Sequence, residues 1–209
     1  MTVPSPDVGI ASYIRTFELI IVGPPLLSES VDVELWSLLN NFTRVEHLNV
    51  SSRDFFLSFQ ARSSFLSKDF VDLCHSPTLS ELTLSNFADV PTHLLRHSHV
   101  SHIKLSNVTF VPDPFEQHTF VHQLESIEVD GISFYSIINT LHNDSTDLLL
   151  RERKAFSRLR TLEIDLYDTD LQDCLKVAAA AIDSLETLSL HVHANNFKGD
   201  PKYFLPSLL

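Results

Sequence analysis

Glycine is nearly missing from this chain, which has 4 in 209 residues. Glycine-rich phosphate loops and arrays of tight hairpins need it wherever the backbone turns left-handed or approaches a ligand closely. Neither G-x-x-x-x-G-K-S/T nor G-x-G-x-x-G occurs, so nucleotide binding has no support. Cysteine is scarcer still. Cys74 and Cys174 lie far apart in apolar, helix-like segments and read as core residues. They do not make a disulfide scaffold, which points to a reducing, intracellular compartment, cytoplasmic or nuclear. Positive charge is short, with 15 Lys and Arg against 27 Asp and Glu and a net charge of -12. An acidic chain repels phosphate and anionic lipid, which argues against nucleic acid and membrane surfaces and leaves basic protein partners or simply solubility as its use. No apolar run reaches the roughly 18 residues of a membrane span. The residues from Met1 to Pro6 show no secretory signal pattern, so N-x-S/T sequons at Asn41, Asn49, Asn107 and Asn143 read as chance matches.

What is present is a repeat. The unit is apolar-x-x-apolar-x-apolar, at Ile14/Phe17/Leu19, Val45/Leu48/Val50, Leu79/Leu82/Leu84 and Val100/Ile103/Leu105. It continues at Leu124/Ile127/Val129, Leu159/Leu162/Ile164 and Leu185/Leu188/Leu190, making seven copies. The last two apolar positions are two apart, the strand period, so both face one side, while their neighbours face solvent. Seven such copies predict strands that can bury their apolar face only against one another. Segments between them predict helices: Val31 to Phe42, Asp69 to His75, Pro91 to Ser98, Ser136 to His142 and Asp170 to Ile182. In the last, Leu171, Leu175, Ala178, Ala179 and Ile182 are expected to face inward at helical spacing. A strand, a helix and a return predict parallel strands with right-handed crossovers. Phe55, Phe56, Phe59 and Phe65 are expected to pack over the core of a long repeat, and the stretch with Pro112 and Pro114 to form a loop.

The copies Ser76-Pro77-Thr78-Leu79-Ser80-Glu81-Leu82-Thr83-Leu84-Ser85-Asn86-Phe87 and Val100-Ser101-His102-Ile103-Lys104-Leu105-Ser106-Asn107-Val108 carry a resemblance. Together with the helix-opening run Val90-Pro91-Thr92-His93-Leu94-Leu95, they resemble repeats of F-box/leucine-rich-repeat-like proteins of mushroom-forming fungi. The resemblance implies an α/β, leucine-rich-repeat-like solenoid, with a curved parallel sheet on the concave side and helices on the convex side. It would run over residues 14–194, between an N-terminal tail (1–13) and a C-terminal segment (195–209) that is truncated or capping. It also implies a non-catalytic protein-interaction module, the substrate-recognition region of a ubiquitin-ligase adaptor. A Skp-type adaptor would be a partner only if an F-box lies upstream, since these residues contain none. The rival expectation is a structural repeat remnant without a partner of its own.

No catalytic, cofactor or metal site is read. There is no G-x-S-x-G elbow, and neither cysteine has a catalytic signature. His93 and His97 are i, i+4 with His99 and His102 near, but a zinc site needs three or four converging ligands and these fall on different elements. The candidate partner-binding residues are Glu128, Asp130, Glu163 and Asp165. Successive repeats place Glu128 beside Glu163 and Asp130 beside Asp165, a like-charge cost that hints at use, against the plainer reading of a solvated acidic face.

Overall fold

The computed structural model describes residues 13–22, 42–53, 56–59, 68–96, 98–111, 124–142, 156–166 and 171–192. The fold is α/β, with eight strands in one sheet and, among the described residues, four helices. In chain order the elements are β1 (Thr16–Ile21), β2 (His47–Ser52), β3 (Leu57–Ser58), α1 (Lys68–Cys74), β4 (Glu81–Pro91) and α2 (His93–Arg96). Then come β5 (His102–Val111), β6 (Ser126–Asp130), α3 (Gly131–His142), β7 (Thr161–Leu166), α4 (Leu171–Ala180) and β8 (Thr187–Val192). The sheet order is β1-β2-β4-β5-β6-β7-β8, with β3 beside β4, and each pairing is parallel.

The repeat sets the register. Phe17, Leu48, Leu82, Ile103, Ile127, Leu162 and Leu188 lie in one row, and Leu19, Val50, Leu84, Leu105, Val129, Ile164 and Leu190 in the next. The carbonyls of Arg15, Glu46, Ser80, Ser101, Glu125 and Arg160, each one residue ahead of a strand, each accept two N–H groups from the next unit. One geometry thus recurs at every step, whatever the length of chain between steps. The rows are buried from β2 through β7, whereas Phe17, Leu19 and Leu190 are only partly buried. Leu188, expected in the core, is 41% exposed, because β8 is the last strand among the described residues.

An unforeseen feature reverses the inward parity of β4 and β5. Simple alternation would bring Asn86 and Asn107 inward after Leu84 and Leu105. Instead both adopt left-handed backbone, with φ of 63° and 56°, and Asp89 follows at 57°. Asn and Asp tolerate this region where most residues do not. The reversal turns Phe87, Val90, Val108 and Phe110 into the core. It also aligns a polar ladder: Asn86 Nδ2 donates to the Ser52 carbonyl at 2.6 Å, and Asn107 Nδ2 to Asn86 Oδ1 at 2.9 Å. The Asn107 N–H donates to Asp130 Oδ2.

Asp130 also starts a helix. Its Oδ1 accepts from the Ser133 N–H at 2.8 Å, an N-cap bond that places a negative charge at the positive end of α3. That helix therefore begins at Gly131, straight off β6, and not at Ser136 as the apolar spacing suggests. Ser133 and Ser136 share a face and are buried. Their hydroxyls accept the N–H groups of Val108 and Phe110, at 2.9 and 2.6 Å. So α3 stands where a strand would otherwise satisfy the second half of β5.

Pro91 ends β4 instead of opening a helix, and α2 is a single turn from His93 to Arg96. The phase of α4 is shifted: Cys174, Val177 and Ala181 are buried, while Leu171, Leu175, Ala179 and Ile182 are exposed. Of the phenylalanines, Phe59 packs with Phe70 and Phe87, but Phe56 is exposed. The helix expected from Val31, except Phe42, lies outside the described residues, as do Phe55, Phe65, Pro112, Pro114, residues 1–12 and the segment 195–209.

Candidate functional site

Between the buried rows, strand alternation presents a second set of side chains on the opposite face. Parallel register turns them into columns. One column runs Thr16, His47, Glu81, His102, Ser126, Thr161, Thr187, and the next runs Glu18, Asn49, Thr83, Lys104, Glu128, Glu163, Ser189. Asp130, Asp165 and His191 continue a third. All three columns lie on one side of the sheet.

The columns are linked by short polar contacts. Asn49 Nδ2 donates to Glu18 Oε1 at 2.8 Å, and His47 Nδ1 sits 2.7 Å from Glu81 Oε2. Lys104 Nζ pairs with Glu128. His191 lies between two carboxylates, with Nδ1 3.1 Å from Asp165 Oδ1 and Nε2 3.6 Å from Glu163 Oε1. These side chains are about half exposed, so each pair is worth about 0–1 kcal/mol and is screened by salt.

Glu128 and Glu163 are register partners, as are Asp130 and Asp165. All four are half-buried, and Glu128, Glu163 and Asp165 form a patch with Lys104 and His191. Asp130 is instead occupied by Asn107 and the first turn of α3. The like-charge cost read from the repeat is thus partly offset, by a cation beside Glu128 and an imidazole between Glu163 and Asp165. Lys104 and His191 flank the strand positions of the fourth and seventh copies, so the register sets Lys104 beside Glu128 and His191 beside Asp165. Asp130's capping role was not legible in the sequence, because α3 was expected to start later.

Among the described residues, both cysteines lie in the core, away from this face. Cys74 is buried, and burial pushes its thiol pKa far above the ordinary value, which suppresses the thiolate a nucleophile needs. Cys174 is buried in α4. Among the described residues, no three of His, Cys, Asp and Glu converge to hold a metal. His75 Nε2 bonds the His93 carbonyl, His99 is exposed between α2 and β5, and His102 bonds Ser101, while His97 and His193 lie outside the described residues. No helix among the described residues is long and apolar enough to cross a membrane. Compared with protein-family models, curated proteins and solved structures, the chain matches none of them.

Proposed function

We propose that this chain is a non-catalytic protein-interaction module, a leucine-rich-repeat-like solenoid whose exposed strand face docks a basic segment of a partner protein. The observation that carries this reading is the patch on β6 to β8. Glu128, Glu163 and Asp165 stand in adjacent columns, with Glu81 and Glu18 further along the same face. Against these five carboxylates the three columns set one lysine, Lys104. A rigid sheet holds such groups at the spacing of neighbouring strands, about 4.8 Å, and an extended Lys- or Arg-bearing peptide laid across them would meet one after another. The units that resemble F-box/leucine-rich-repeat-like proteins, on β4 and β5, lie next to the patch, which supports assigning it to substrate recognition in an adaptor of that type.

The test uses a panel of Lys/Arg-rich peptides and their Glu-substituted counterparts, titrated against the wild-type chain and the E128Q/E163Q/D165N variant. Binding of the basic peptides alone, weakening steeply between 0.1 and 1 M salt as the Debye length falls from about 10 to about 3 Å, is the expected result. Slower association in the variant should accompany it. Equal rates and salt slopes for the two proteins would show that the patch is only a solvated surface. The chain would then read as a structural repeat without a partner on this face.

A further inference from the structure

Interior strands bury their apolar rows, but the two terminal strands leave theirs incompletely covered. On β8, Leu188 and Val192 are 41% and 58% exposed. On β1, Phe17 and Leu19 are only partly buried. Among the described residues, neither β1 nor β8 has a neighbour on its outer side. An open edge with an apolar row is a template for another strand.

The two edges fit each other. All pairings in the sheet are parallel, so an incoming strand that continues the sheet arrives in the same sense. Continuing the register past β8 sets Phe17 of the added strand beside Leu188, Leu19 beside Leu190 and Ile21 beside Val192. The charges ahead of the strands also match. Arg15 precedes β1 and pairs with Glu46 at 3.0 Å, while Glu186 precedes β8 and lies 3.8 Å from Arg160. The added copy would place its Arg15 beside Glu186, a third pairing of the same kind, and would aim the Arg15 and Thr16 N–H groups at the Glu186 carbonyl. Carbonyls at this position already accept such a pair at each step within the sheet.

We propose that copies of this chain associate end to end, β1 of one adding in parallel to the outer edge of β8 of the next. The joint uses two different surfaces, so it is not the self-complementary contact of an isologous dimer, and each added copy leaves a free β1 and a free β8 edge at the ends for further copies. It is separate from the acidic face, whose residues it leaves open.

Sedimentation velocity and light scattering on the full chain, from micromolar to millimolar concentration, test this. The average mass should rise past that of a dimer. E186R and R15E should each lower the association constant severalfold and up to about tenfold, because like charges then meet at the joint. An equimolar mixture of the two variants should regain association, since alternating copies then put opposite charges at every joint, exchanged at one and native at the next. L188D should weaken association by at least about tenfold, with circular dichroism confirming that each variant stays folded. A wild-type monomer at all concentrations, a closed dimer, or a mixture no better than the single variants would overturn the proposal.

Discussion

Leu162 and Leu188 occupy the same row of the sheet, yet their environments differ. Leu162 is fully enclosed between β6 and β8, so Leu162→Ala should cost about 2–5 kcal/mol in urea unfolding. Leu188 has a neighbour on one side only, and its truncation should cost less than about 1.5 kcal/mol, in line with the apolar surface it still exposes. Equal losses would mean that the β8 edge is covered in solution. Asn107 holds a left-handed turn and donates from both its main chain and its amide. Asn107→Ala should therefore destabilise by about 1–3 kcal/mol, losing the amide bond and taking on an unfavourable φ. Asn107→Gly should recover the part due to φ. The Cys74 thiol, buried and held protonated, should resist a thiol reagent at a pH of about 8 until denaturant opens the fold.

At the scale of elements, α3 and α4 show how a helix is placed by what it must satisfy. Ser133 would commonly be read as a neutral helix residue. Here its hydroxyl serves the N–H of Val108 in a buried seam, and Ser133→Ala would leave that donor unpaired. A loss of about 1–3 kcal/mol is expected from denaturation midpoints, more than a buried methyl alone would change. For α4, Val177→Asp should unfold the C-terminal half of the sheet, while Leu175→Asp should alter stability by less than about 1 kcal/mol. The opposite ranking would put Leu171, Leu175 and Ile182 on the inner face.

For the whole molecule, the parallel order makes stability a matter of position. Among the described residues, β4 has three neighbours, β2, β5, β6 and β7 have two, and β1, β8 and the short β3 have one. Hydrogen exchange should protect amides of β4 to β7 most, with β1 and β8 opening first, since local opening follows the number of packed neighbours. Uniform protection from β1 to β8 would point to a single cooperative unit.

The repeat alone determined seven of the eight strand positions, their parallel pairing and the two faces, while β3, which no copy contains, was placed beside β4 only by the tertiary structure. A two-residue period with an apolar residue three earlier can be buried in only one way, and each copy repeats the demand. The columns that place Glu128 beside Glu163 and Asp130 beside Asp165 follow from the same register. Only the tertiary structure decided the rest. The left-handed turns at Asn86 and Asn107 depend on side-chain bonds across strands distant in sequence. The start of α3 at Gly131 depends on a cap that also serves β5. Leucine usually marks the buried stripe of a helix, whereas at α4 the smaller Cys174, Val177 and Ala181 face the core and Leu171 and Leu175 face outward. Periodicity reports that a helix has an apolar stripe; which of two candidate stripes is buried depends on the space left by the strands beneath.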